Sequence, residues 1–395
     1  MTVTSTHSEI ASFTPYPIKH LPLNLRVGSE SLFIVWDNGH ESEYHYLWLR
    51  DNCHCSECIA TLTREQVFEI CDVPETIRPL EAYFSEDNRL VIKWDYADHI
   101  SQYHPGWLYS HCYSESAREA KQWRAKVWDK EAINQTLPTN TYLNILQSDQ
   151  HLLTWLRDLR DYGIALVTDV DCAPNTLIKV AHRISFIRET NFGTIFNVQA
   201  KADANSAAYT DLRLPLHTDL PTRELQPGLQ FLHCLINDAE GGESILVDGF
   251  KIAEHMREYY PDEFASLSSI PMSFYNKDQH SDYRFRGTAI VVDENHQIVE
   301  VRLANFLRGP IDVPAHQTLA LYKAYRRFIQ LTREERFQFF HRLNSGELIV
   351  FDNRRVLHAR NAFDLKTGSR HLQGCYIDRD ELLSRIRVLE RDTLG

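Results

Sequence analysis

The chain has no uninterrupted apolar run of eighteen residues, so nothing in it reads as a membrane-spanning helix. Its first ten residues, MTVTSTHSEI, lack the basic-then-apolar layout of a secretory signal. These two absences make the cytoplasm the expected location. The sequence also lacks a basic excess: the formal charge is −12 with histidine neutral. Nucleic acid and anionic membrane are therefore poor candidates as partners, because both need a basic face. The acidic balance suits a cationic ligand, and it equally suits a solvated acidic surface. Cysteine is too sparse for a disulfide scaffold, at 8 in 395 residues. No internal repeat or low-complexity tract is present. What remains is a chain long enough for two domains and a sizeable core, with ordinary apolar content.

Along the chain, residues 1–25 carry three prolines and no clear period, and read as a loose arm. Residues 26–112 read as a small first domain of short strands. SLFIVWDNGHESEYHYLWL, with Asn-Gly turn chemistry between apolar runs, is one strand pair, and RLVIKWD is another strand. A charged helical connector is expected over 113–148, with Ser114 or Ser116 as its N-cap. From 149 to 395 the pattern predicts a second domain. It opens with a helix, DQHLLTWLRDLRDYG, capped by Gly163. Strands then dominate (GLQFLHCL, ESILVDGF, AIVVDE, ELIVFDN, HLQGCYID), interrupted by the helices FKIAEHMREYY and TLALYKAYRRFIQLTREERF. Many strands with few helices predict a mainly β fold, a β-sandwich or jelly-roll barrel with helical insertions.

The segment LPLHTDLP sets a histidine and an aspartate two apart inside an apolar run. If it is extended, His217 and Asp219 project from one side. Far downstream, in LIVFDNRRVLHARNAF, His358 follows an apolar strand and an Asp-Asn turn. Two histidines and one carboxylate on one face suit non-heme Fe(II) and leave open positions. A bare His-x-Asp is common, and a lone buried histidine is more often a hydrogen-bonded core residue. Arg370 sharpens the pattern. If VLHAR and RHLQG are neighbouring antiparallel strands, Arg370 lies one strand from the metal, where a guanidinium clamps the far carboxylate of a 2-oxo acid. Taken alone, Arg370 would read as a surface ion pair contributing about 1 kcal/mol or less.

NCHCSEC places Cys53, Cys55 and Cys58 within six residues. Structural zinc takes four ligands, commonly Cys3His. Among His99, His104 and His111, His99 is chosen because it follows the strand RLVIKWD at a turn. A redox thiol cluster is the alternative. Cys71, Cys112, Cys172, Cys234 and Cys375 read as small buried hydrophobes.

These residues resemble the gamma-butyrobetaine dioxygenases, Fe(II)- and 2-oxoglutarate-dependent oxygenases that make carnitine, and especially their bacterial branch. LWLRDNCHCSEC, YHPGWL, the long segment from ISFIRETNFG to LQFLHCL, VDGF, RLANFLR, FDNRRVLHARNAF and RHLQGCYIDRDELLSR carry the likeness. The resemblance implies an N-terminal zinc-binding β domain, a double-stranded β-helix (jelly-roll) catalytic domain, and a homodimer. It implies iron on His217, Asp219 and His358, 2-oxoglutarate on Arg370, and zinc on Cys53, Cys55, Cys58 and His99. It further implies O2 as the oxidant and ascorbate as an accessory reductant. A trimethylammonium group has no N–H donors and is held by aromatic faces, at roughly 0.5–2 kcal/mol each. By resemblance the cage falls at Phe192, Phe196, Tyr209 and Tyr376, and the substrate carboxylate meets Asn305 and Ser206. Ser206 stands where animal relatives have Asn, and a serine reaches less far than an amide. The implied reaction is C3 hydroxylation of gamma-butyrobetaine to L-carnitine. The alternatives are hydroxylation of a related compound such as trimethyllysine, or a non-catalytic betaine-binding protein.

Overall fold

Why the second half folds as a sandwich is visible in the alternation of its strands. In Leu348–Asp352, Leu348 and Val350 pack toward helices, while Ile349 and Phe351 pack toward the opposing sheet. That period of two makes a strand buried on both faces. The structure is a computed structural model that describes residues 13–200, 210–277 and 280–394. It divides into two compact units, 1–123 with 391–395, and 124–390.

In the first unit, Pro22–Val27, Ser31–Trp36 and Glu41–His45 form one antiparallel sheet. Pro79–Phe84, Leu90–Trp94 and Ile100–Tyr103 form another. Their shared core holds Trp36, Tyr44, Trp94 and Tyr103. The Asn-Gly turn stands as expected, but the pattern misleads beyond it: YLWLRD is a helix, Tyr46–Asp51, rather than more strand. The expected arm is shorter too, since a strand begins at Pro22.

In the second unit a six-stranded sheet runs Thr139–Thr141, Ile164–Thr168, Leu348–Asp352, Leu229–Asn237, Arg370–Ile377, Phe196–Val198. A four-stranded sheet runs Leu214–His217, Val356–Arg360, Ser244–Asp248, Phe339–His341. Ile164, Ile349, Phe351 and Leu372 of the first meet Leu246, Phe339 and Val356 of the second in one core. This is the expected jelly-roll. The outer face of the larger sheet is covered by helices Asp149–Tyr162, Leu177–Ile184 and Arg379–Leu394. The outer face of the smaller one lies under an insertion containing Gly249–Tyr259, Pro261–Ser269 and Ala315–Thr332. Gly163 ends its helix in the left-handed conformation, φ +72°.

The connector is less regular than its charge pattern predicts. Two short helices, Glu115–Lys121 and Lys130–Thr136, are separated by extended chain. Ser114 caps the first, accepting from the Ala117 N–H. Cys71 and Cys172 are exposed, against the expectation that every single cysteine is buried. No helix among the described residues is long and apolar enough to cross a membrane.

Candidate active site and metal centres

His217 and His358 are direct partners in the register of the edge strand Leu214–His217 against Val356–Arg360. Their rings lie 4.2 Å apart. The strand ends at His217, so Asp219 arrives by a turn rather than by extended alternation, with Leu220 left-handed at φ +51°. Asp219 Oδ1 lies 3.2 Å from His217 Nε2 and 3.6 Å from His358 Nε2. Ligand atoms about 2.1 Å from one ion and mutually cis are about 3 Å apart. The three residues therefore fit one ion on one face, with the opposite face left to other ligands. The His217 Nδ1 lies 2.9 Å from the Pro215 carbonyl, which holds the ring with Nε2 turned to the site.

Burial works to raise the Asp219 carboxyl, but His358 and His217 outweigh it and hold it well below the usual carboxylate range. Burial lowers His358, and His217 adds to the effect. Both shifts leave the residues in the form that binds a cation: an ionised carboxylate and a neutral imidazole.

The turn is fixed by buried polar groups. Thr218 Oγ1 donates to Gln226 Oε1, and Gln226 Nε2 donates to Glu300. Arg302 pairs with Glu300 and donates to the carbonyls of Pro221, Arg223 and Glu224. Arg354 joins Glu300 from the other side.

These residues open on a cavity of about 570 Å³ between the two sheets. Arg370 lines it, 5% exposed, and has no ion-pair partner among the described residues. Burial, reinforced by Arg360, pulls its guanidinium down to about 10. It remains charged at neutral pH, and such a buried cation calls for an anion. The expected strand neighbourhood is wrong, however. Val356–Arg360 and Arg370–Ile377 belong to different sheets, so Arg370 reaches the cavity from across the sandwich.

Phe192, Phe196 and Tyr376 all line the cavity. The Phe196 ring lies 5.0 Å from Tyr376 and 6.4 Å from Phe192. Tyr209 and Ser206 fall outside the described residues. Asn305 is exposed, meets the Tyr325 hydroxyl at 3.4 Å, and does not line the cavity; its neighbours Phe306 and Leu307 do. Sequence reasoning missed Gln230, Asn191 and Lys277 on the cavity wall. Gln230 alone left a signal, a polar residue in the apolar strand GLQFLHCL. It is 3% exposed, and its Oε1 has no hydrogen-bond partner among the described residues.

In the first unit, His99 Nε2 lies 3.3, 3.8 and 3.9 Å from the sulfurs of Cys53, Cys55 and Cys58. A tetrahedral zinc with usual bond lengths separates such N and S ligands by about 3.6 Å. Glu57 stands 3.4 Å behind His99 at Nδ1, and Arg50 reaches Cys58. Contacts with Cys53 and Cys58 hold the Cys55 thiol below its ordinary range, while contacts with Cys55 and Cys58 push Cys53 up. A dication would satisfy all three as thiolates.

Comparison with known proteins agrees with this geometry. Residues 130–376 match the taurine catabolism dioxygenase TauD, TfdA family. Residues 23–95 match the gamma-butyrobetaine hydroxylase-like N-terminal family. The chain is 50% identical over 385 residues to the gamma-butyrobetaine dioxygenase of Pseudomonas sp. (strain AK-1), covering 97% of this chain and all of that one. It is 33% identical to the human gamma-butyrobetaine dioxygenase, covering 92% and 95%. It is 31% identical to the human mitochondrial trimethyllysine dioxygenase, covering 91% and 88%.

Proposed function

The chain belongs to the gamma-butyrobetaine dioxygenase family, and from that premise we infer that it hydroxylates gamma-butyrobetaine at C3 to give L-carnitine. One O2 is consumed; one oxygen atom enters the product and the other enters succinate as 2-oxoglutarate loses CO2. Bound Fe(II), with 2-oxoglutarate and O2, supplies the oxidising chemistry, and zinc serves the fold of the first unit.

We assign the iron to His217, Asp219 and His358, and the zinc to Cys53, Cys55, Cys58 and His99, on the ligand spacings above. Arg370 binds the distal carboxylate of 2-oxoglutarate; its burial with no carboxylate partner among the described residues is the single observation that most favours this role. Phe192, Phe196 and Tyr376 hold the trimethylammonium through their ring faces. Asp219 is the lone carboxylate among the described lining residues, and it is turned to the two histidines. The aromatic faces are therefore the groups left for the cation. Sheet walls of Leu232, Leu246, Ile349 and Phe351 limit water in the cavity, and the cage fixes which C–H faces the metal. A cytoplasmic homodimer is part of the same reading, and sedimentation of the purified protein tests the dimer.

The test is oxygen uptake by iron-loaded protein with 2-oxoglutarate, with and without gamma-butyrobetaine, and the product identified by mass. A product heavier by one oxygen, matched by succinate, is the expected result. Uptake with trimethyllysine alone would keep the iron chemistry and replace the substrate. Tight betaine binding with no uptake would leave only a binding protein.

A further inference from the structure

We propose that the Tyr376 hydroxyl positions the metal-binding carboxylate, holding Asp219 by one oxygen so that the other alone faces the two imidazoles. The inference rests on the assignment of His217, Asp219 and His358 to iron. Tyr376 Oη donates to Asp219 Oδ2 at 2.6 Å, the length of a charge-assisted O–H···O⁻ bond. Asp219 Oδ1 is the oxygen near both Nε2 atoms. The two oxygens of a free carboxylate are equivalent, and both can close on one ion. This hydrogen bond makes them different. Oδ2 is engaged, Oδ1 is aimed, and a coordination position that a bidentate aspartate would fill stays open.

The donor is rigidly delivered. Tyr376 is 3% exposed, lies on the strand Arg370–Ile377, and its ring packs on Phe196 at a 31° angle. Asp219 follows the edge strand of the other sheet, so the bond crosses the cavity. A cation cage asks only for an aromatic face, which phenylalanine supplies without a polar atom to satisfy. Two of the described cage positions are indeed phenylalanine. The hydroxyl at the third has a separate task, and one side chain thus serves the substrate with its face and the metal carboxylate with its tip.

The experiment compares Mn(II) binding to the metal-stripped iron site in wild type, Tyr376→Phe and His217→Ala, by calorimetry and electron paramagnetic resonance. Mn(II) is used because it requires no turnover. Tyr376→Phe should bind Mn(II) about tenfold more weakly, as loss of a supporting hydrogen bond does at other metal sites. Its resonance should change shape. In the Fe(II) enzyme the same variant should lose kcat while KM for gamma-butyrobetaine stays within about twofold, because the ring is kept. Wild-type affinity and spectrum in Tyr376→Phe, with binding lost in His217→Ala, would overturn the positioning role alone. Wild-type affinity in His217→Ala would overturn the iron assignment beneath it.

Discussion

Asn353 closes two hydrogen bonds on the backbone of Asp219: its Oδ1 accepts from the Asp219 N–H at 2.6 Å, and its Nδ2 donates to the Asp219 carbonyl at 3.0 Å. The same Nδ2 reaches the Pro227 carbonyl at 3.2 Å. Asn353 is fully buried, so no water can replace it. Asn353→Ala leaves these backbone groups unsatisfied, at about 1–3 kcal/mol each. Denaturant unfolding should show a loss of about 2–4 kcal/mol. Turnover at saturating substrate should fall at least about tenfold, because the carboxylate leaves its position. Wild-type kcat in a destabilised variant would mean that the turn holds itself.

Arg370→Met should raise KM for 2-oxoglutarate by about 100-fold, from loss of a charge-assisted bidentate contact. Arg370→Lys should recover part of it, since a point charge keeps the attraction and loses the fork. KM for gamma-butyrobetaine should move little in either variant. Steady-state kinetics with each substrate varied separates these outcomes, and a selective rise in the betaine KM would reverse the assignment.

Asp248 and Arg355 form a fully buried ion pair at 2.8 Å. Asp248 also accepts from the N–H groups of Phe250 and Trp128, so it caps a helix as well. Asp248→Asn leaves a buried guanidinium uncompensated, which costs about 3–5 kcal/mol. Calorimetry should register a lower Tm. Iron-site kinetics at low temperature should change far less, since neither residue lines the cavity.

His233 is fully buried, and neither ring nitrogen has a hydrogen-bond partner among the described residues. Burial pushes it down to about 4 from the ordinary 6.5. Above pH 6.5 both folded and unfolded chains hold it neutral. As pH falls from 6.5 toward 4, the unfolded chain takes the proton and the folded chain refuses it. Stability conferred by the neutral form is thus complete above 6.5 and lost through that window. Between pH 6.5 and 5, before most carboxylates titrate, Tm should fall less in His233→Leu than in wild type. Parallel curves would show that His233 does not carry the dependence.

The two candidate metal clusters were legible because such chemistry is tied to residue type: Cys-x-Cys-x2-Cys, His-x-Asp and a distal histidine after an apolar strand, residues the fold does bring together. The sandwich was legible from the number of short strands, apolar runs such as ELIVFDN among them, set against few helices. Arg370 was singled out for its chemistry and does line the cavity, but the topology assumed for it was wrong. Two segments with nine residues between them, 361–369, look like a hairpin, and only tertiary packing puts them in opposite sheets. YLWL reads as strand because its aromatics favour β structure locally, while packing against the first core makes it part of the helix Tyr46–Asp51. Tyr376 as a hydrogen-bond donor to Asp219 could not be read at all. The pair is 157 residues apart, and no local pattern records it.

The cysteine cluster has a consequence for the growing chain. His99 lies 41 residues beyond Cys58. At ribosomal rates of about 5–20 residues per second, the three thiols emerge about 2–8 seconds before their fourth partner. During that interval any captured ion has an open position, exposed to glutathione and to softer competing metals. The hairpin of Leu90–Trp94 and Ile100–Tyr103 brings His99 in its turn, so pairing of those strands is also the act that latches the ion. A slow hairpin would show itself first as wrong metal, before it showed itself as misfolded protein.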